Sequence, residues 1–141
     1  MTEDFEVHIY PSDCDSAGHV NHAYMLTLLE RVRWSALERH MSYREYMKSN
    51  LWAVVRKVEA SYHAQTLPGD DLSIRTGLVS VGNTSFIVKQ EVRNQRQVLV
   101  CDASIVYVTV AHDGKAIPVP DQWRTLFAPW TSDADDGKSE R

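Results

Sequence analysis

Residues 13–24 read DCDSAGHVNHAY, which sets Asp13, Cys14, Asp15, His19 and His22 just ahead of the apolar run MLTLLERV. Side chains of these types support three chemistries. A divalent metal could take Asp13, Asp15, His19 and His22, the two histidines being spaced to share a helix face if both lay on one. They fall at a helix start rather than inside it, and neither CxxC nor HExxH accompanies them, so loop histidines without a metal are the favoured reading. A thiolate nucleophile at Cys14 is disfavoured by its flanking aspartates, and no spacing marks a histidine partner. A small packed residue is the simpler reading for Cys14, and Cys101, in an apolar stretch, reads as core.

The third chemistry pairs a carboxylate with a helix N-terminus. The first N–H groups of a helix lack intrahelical partners and carry partial positive charge, so they stabilise an oxygen that gains negative charge during reaction. Gly18 lets the chain turn sharply and brings backbone close to a substrate. An aspartate a few residues earlier could face the same point. Carbonyl chemistry needs this pair: one group to attack or to activate water, another to hold the oxyanion. From spacing alone, an Asp13 or Asp15 that merely caps the loop is the commoner arrangement, and both readings stay open.

Such a loop works only if regular elements hold it. Residues 4–10, DFEVHIY, alternate as a short strand that Pro11 and Ser12 break. Asn21 is an N-cap for a helix free of Gly and Pro that runs toward Met47. Met25, Leu28, Leu29, Val32, Ala36 and Leu37 form its apolar stripe, while Glu30, Arg31, Arg33, Glu38 and Arg39 mark a less buried side. Residues 41–50 are a fraying end or a second short helix begun by Ser42, with Glu45 closing a capping box. Four strands follow. LWAVVRKVEASYHA places Val54, Arg56, Val58, Ala60 and Tyr62 on one face, and LSIRTGLVSV does the same for Leu72, Ile74, Thr76 and Leu78. SFIVKQEV is next, and VLVCDASIVYVTVA reads as a long central strand. LPGDD, GNT, NQRQ and HDGKA are the turns between or after them.

Short turns favour antiparallel neighbours. The fold class is therefore α+β, a five-stranded antiparallel sheet wrapped around one long central helix. One helix covers little of such a sheet, and an edge-to-edge dimer would protect the exposed strand edges. A single domain over residues 1–130 and a polar, disordered tail over 131–141 complete the expected organisation.

Composition narrows the function. The chain has 141 residues, 43% hydrophobic and 24% charged, enough for one domain with a real core. A net charge of −4 gives no reason to expect nucleic acid or an anionic membrane as partner. No apolar run reaches the length of a membrane span, and MTEDFEVHIY lacks the pattern of a signal peptide. Two cysteines are too few for a disulfide scaffold, so a reduced, cytoplasmic setting is expected.

The motif D-x-D-x-x-G-H-V-N-H, followed by LLERVR, resembles the start of the hotdog-fold acyl-CoA thioesterases, the 4-hydroxybenzoyl-CoA thioesterase group. PGDDL, VGNTSF and GKAIPVPDQWR resemble that family's later segments in the same order, so the likeness spans residues 5–126. It implies a hotdog fold and hydrolysis of an acyl-CoA to free acid and CoA without metal or organic cofactor. It also implies that Asp15 is the catalytic carboxylate, that His22 supplies the backbone N–H for the thioester oxygen and a catalytic side chain, and that Gly18 shapes the loop. Glu30 and Arg33 match a glutamate and an arginine of the family's helix. Tyr24, Met25 and Ser85 are the expected substrate contacts, Ser85 from a neighbouring subunit of a homodimer or homotetramer. The family often has tyrosine at the places of Met25 and Pro11, where this chain offers Tyr24 and Tyr10 next door. Two alternatives accompany this reading: a thioesterase acting on acyl-carrier protein, and a non-catalytic acyl-CoA-binding hotdog protein. A hotdog dehydratase is weaker, since no match to its histidine pattern occurs.

Overall fold

The computed structural model describes residues 3–130, so the expected tail over 131–141 lies outside the described residues. Its strands are β1 (Glu3–His8), β2 (Leu51–Tyr62), β3 (Asp71–Val81), β4 (Ser85–Arg93) and β5 (Leu99–Ala111), with helices α1 (His22–Glu38) and α2 (Tyr43–Lys48) between β1 and β2. The five strands form one antiparallel sheet in the order β1-β3-β4-β5-β2. The long strand β5 is interior as expected, but β4 holds the centre and β2 is an edge.

Local chemistry sets the element ends. The Asn21 side chain accepts a hydrogen bond from the Ala23 N–H at 2.8 Å, so α1 starts where its N-cap predicts. Ser42 and Glu45 close a reciprocal capping box, which resolves residues 41–50 into a second short helix. In the β4–β5 turn, the Asn94 carboxamide oxygen accepts the Arg96 and Val98 N–H groups.

Two strands of the sheet carry bulges. The β2 register slips between Val55 and Lys57, leaving Arg56 as the extra residue. Before the slip Ala53 and Val55 stand opposite Thr109 and Tyr107; after it Val58 and Ala60 stand opposite Ile105 and Ala103. These four share the helix-facing side. The expected single face of Val54, Arg56, Val58, Ala60 and Tyr62 is therefore corrected, because an extra residue inverts strict alternation. A second bulge in β3 falls between Leu78 and Ser80, beyond the expected Leu72, Ile74, Thr76 and Leu78 face, which holds.

The predicted stripe of α1 is buried against the sheet, with one correction. Arg33, expected on the less buried side, is only 8% exposed. Its Nη1 donates to Gln90 Oε1 at 3.0 Å and its Nε to the Tyr107 hydroxyl. Gln90, fully buried, donates in turn to the Leu29 carbonyl at 3.0 Å and to Thr76 Oγ1 at 3.2 Å. A buried guanidinium is tolerable when fixed acceptors meet it. Beyond β5, the chain returns past the last turns of α1. Trp123, Leu126 and Phe127 pack with Ala36, Leu37, Tyr46 and Phe86. Ala128 and Trp130 bond the backbone of Leu78, so the chain is seated on β3 as far as residue 130.

Replacing Gln90 by leucine keeps its bulk and strips Arg33, Thr76 and Leu29 of a partner. It should destabilise the fold by about 2–3 kcal/mol, the scale of unsatisfied buried polar groups, measured as a lower urea midpoint.

Candidate active site

The loop between β1 and α1 is fastened at both ends to one segment. Ile9 N–H donates to the Asp70 carbonyl at 2.9 Å, and Gly69 N–H to the Ile9 carbonyl at 2.7 Å. At the other end Val20 N–H donates to the Thr66 carbonyl at 2.9 Å. Between these points the chain makes a 3-10 turn at Pro11–Asp13 and then a tight turn at Asp15. Asp15 N–H donates to the His19 carbonyl at 3.1 Å, and Gly18 N–H to the Asp15 carbonyl at 2.9 Å. Gly18 has φ +85°, which a side chain would strain.

Both oxygens of Asp15 have donors. Oδ1 accepts the Ala17 N–H at 2.9 Å, and Oδ2 lies 3.5 Å from the Asn21 amide nitrogen. Partial desolvation pushes its pKa up, but the Ala17 N–H, the Asn21 amide and nearby His19 outweigh it and hold the carboxyl below the ordinary aspartate range. Asp15 is therefore ionised at neutral pH. Asn21 joins this carboxylate to the helix start, because its own oxygen caps the Ala23 N–H. His22 is the first residue of α1 and is exposed, and among the described residues no protein acceptor meets its N–H. Its carbonyl accepts the Tyr62 hydroxyl at 2.8 Å, and its ring meets that of Tyr62 edge-on at 6.2 Å.

The other aspartate is committed to the scaffold. Asp13 accepts from the Tyr10 N–H at 2.9 Å and the Tyr24 hydroxyl at 2.8 Å, bonds that lower its pKa. Asp13 and Tyr24 line a groove of about 570 Å³ between β1 and α1. The Tyr24 hydroxyl is thus occupied by Asp13, and Met25 is buried in the core. Cys14 is half-buried, and desolvation followed by Asp13 and Asp15 raises its pKa, against a thiolate role. Cys101 is fully buried, its pKa pushed up to about 11 by burial and then by Asp102. His19 Nδ1 lies 3.4 Å from the Val20 carbonyl, within its own loop. Among the described residues, no three His, Cys, Asp or Glu side chains are grouped to hold a metal ion.

Ser85 is not near this loop within one chain. Register puts His8, Asp71, Arg93 and Tyr62 at one end of the sheet and Ser85, Val81 and Leu51 at the other. The eight steps from Ser85 to Arg93 along β4 span roughly 26 Å. At the Ser85 end, a cavity of about 120 Å³ opens between the second half of α1 and the sheet. Arg33, Trp34, Tyr46, Phe86, Tyr107 and Trp123 are among its walls.

Comparison with known proteins agrees with this architecture. A family model described as the thioesterase-like superfamily matches residues 9–127. The acyl-CoA thioester hydrolase YbgC of Escherichia coli O6:H1 is 32% identical over 105 residues, covering 74% of this chain and 78% of that protein. The long-chain acyl-CoA thioesterase FadM of E. coli K12 is 30% identical over 97 residues, 68% of this chain and 74% of that protein. The crystal structure of YbaW, a probable thioesterase from E. coli, superposes with a TM-score of 0.78 at 26% identity, covering 87% of this chain and 94% of that one. A 1,4-dihydroxy-2-naphthoyl-CoA thioesterase from Synechocystis shares the fold with a TM-score of 0.82 at 22% identity, over 89% and 95% of the two chains. No described helix is long and apolar enough to cross a membrane.

Two members of the site went beyond the sequence reading. Asn21 is legible as an N-cap, but its contact with Asp15 is not, because a cap uses only one end of the amide. Tyr62 reaches His22 across 40 residues, and no local pattern signals that. Replacing Asn21 by alanine removes the cap and one Asp15 partner together. It should cost about 1 kcal/mol of stability, read from thermal or urea unfolding.

Proposed function

The chain belongs to the thioesterase-like superfamily, and from that premise we propose that it hydrolyses acyl-CoA thioesters, RCO–S–CoA plus water giving RCOOH plus CoA–SH. The observation that carries this reading is the Asp15 carboxylate, which lies 3.5 Å from the Asn21 amide, one residue before a His22 N–H that opens α1 and meets no acceptor among the described residues. A thioester releases a stable thiolate and needs little acid assistance, a cysteine-like thiol having a pKa of about 8.5. The reaction therefore asks for a nucleophile and an oxyanion site. Asp15 either directs water at the carbonyl carbon or attacks it to form an anhydride that water then opens. The His22 N–H polarises the carbonyl oxygen, and one such donor contributes roughly 3 kcal/mol. Gly18 supplies the φ of +85° that the turn holding Asp15 needs, and the space beside it is open. The exposed His22 imidazole is placed to orient water or substrate.

The site is completed in a homodimer. Strand β2 is a 12-residue edge that exposes Val54, Val55, Val58 and Tyr62, whereas the opposite edge strand β1 has six residues. A long apolar edge of this kind is a template for pairing. Two copies of β2 paired antiparallel about a two-fold axis bring the Leu51 end of one against the Tyr62 end of the other. Ser85 and the aromatic cavity of one copy then approach the Asp15 loop of its mate. The two free cysteines suit a reducing compartment, which supports a cytoplasmic setting.

Thiol release from a panel of acyl-CoAs tests the chemistry. Asp15→Asn should lower kcat about 10²–10⁴-fold with an unchanged circular dichroism spectrum; a retained rate would mean that Asp15 only closes its turn. Since activity requires the ionised carboxyl and its pKa is lowered, the acid limb of the rate profile should fall below the ordinary value of 3.8. Val58→Asp puts a carboxylate into the apolar contact between the two edges. It should yield monomers by sedimentation and abolish turnover, whereas an active monomer would refute the shared site.

A further inference from the structure

The cavity against α1 has the shape of an apolar pocket and the wrong polarity for one. Its walls are largely aromatic, yet its lining also holds a guanidinium and two phenol hydroxyls. Arg33, more than nine-tenths buried, has no carboxylate within 4.0 Å among the described residues. Its Nε and Nη1 are used on Tyr107 and Gln90, and among the described residues no acceptor meets Nη2. The Tyr107 hydroxyl accepts from Arg33 and the Tyr46 hydroxyl accepts from the Ala53 N–H at 2.8 Å; among the described residues neither has an acceptor for its own proton. The one carboxylate at the cavity, Glu30, is exposed and takes the Trp34 indole N–H at 3.3 Å.

A buried cation is costly without an anion, and buried donors without acceptors are costly as well. A guanidinium whose Nη2 meets no acceptor among the described residues, and two phenol hydroxyls with protons to give, suit a group with several lone pairs and a negative charge. An alkyl or plain phenyl tail would leave those donors unanswered. We propose that this cavity binds a carboxylate at the end of the acyl group remote from the thioester, so that the preferred substrates are CoA monothioesters of dicarboxylic acids. The carboxylate pairs with the Arg33 guanidinium and accepts from the phenol hydroxyls around it. The aromatic walls hold the carbon chain that leads to it. The inference rests on the thioesterase reading and adds the acyl class to it.

Matched pairs of esters test this, differing only in a terminal methyl or carboxylate: butyryl- and succinyl-CoA, pentanoyl- and glutaryl-CoA, hexanoyl- and adipyl-CoA. For at least one pair, kcat/KM of the wild-type enzyme should favour the carboxylate about tenfold or more, the scale of a buried charge-assisted hydrogen bond. Arg33→Met should erase that ratio, Arg33→Lys should restore part of it, and Tyr46→Phe, which keeps the ring and removes the hydroxyl, should reduce it. A wild type that treats every pair alike, or prefers the methyl esters, overturns the proposal whatever the variants do. Calorimetric binding of the same pairs to Asp15→Asn separates the two claims. Tighter binding of carboxylate esters upholds the cavity assignment even where hydrolysis fails, and equal or absent binding overturns it even where Asp15 proves catalytic.

Discussion

Two backbone attachments to a single segment hold the rest in place. Residues 66–70 receive the loop at Ile9, where it leaves β1, and at Val20, just before α1 begins. The segment is itself fixed by the Asp70 carboxylate, which accepts from the Leu67 N–H at 2.9 Å and from the Gln95 amide at 3.0 Å. Desolvation works against that charge, but the Leu67 and Gln95 donors outweigh it and leave the carboxyl below the ordinary range. Three connections, β1 to α1, β2 to β3 and β4 to β5, thus converge on one half-turn. The loop is irregular in shape yet fastened at both ends, which suits a carboxylate that must not wander.

The helix serves the protein at both of its ends. At its start the Asn21 cap and a His22 N–H that meets no acceptor among the described residues make a polar, exposed end. Along its later turns, Arg33 enters the core and the returning chain around Trp123 closes over it. The bulge at Arg56 puts Val55 and Val58 on the same side of β2, where both remain exposed and add to its apolar edge.

Much of this was legible in the sequence, for physical reasons that differ by element. The succession of strands and helices along the chain, the Asn21 cap, the Ser42–Glu45 box and the α1 stripe follow from local rules of period and capping. The fate of Arg33 does not: a charge on a helix reads as solvent-facing unless its acceptors are known, and Gln90 and Tyr107 lie 57 and 74 residues away. The β2 face failed for a related reason, since one extra residue inverts alternation and nothing in VVRKV announces it. At the loop, Asp15 and His22 stood out by type. Their tie through Asn21 needed coordinates, and so did the engagement of Tyr24 by Asp13, because both depend on which way a short side chain turns.

The length of α1 has a consequence for how such a protein changes over generations. Seventeen residues of helix set the proposed chemical groups about 25 Å from the far turns. Besides the helix itself, the walls of the cavity come from α2, β2, β4, β5 and the chain at Trp123, Leu126 and Phe127. Substitutions there can widen, narrow or recharge the pocket without moving Asp15 or the first N–H of the helix. Substrate range and bond cleavage are then separately mutable traits, and a duplicated copy of this gene could acquire a new acyl preference in small steps without passing through an inactive form.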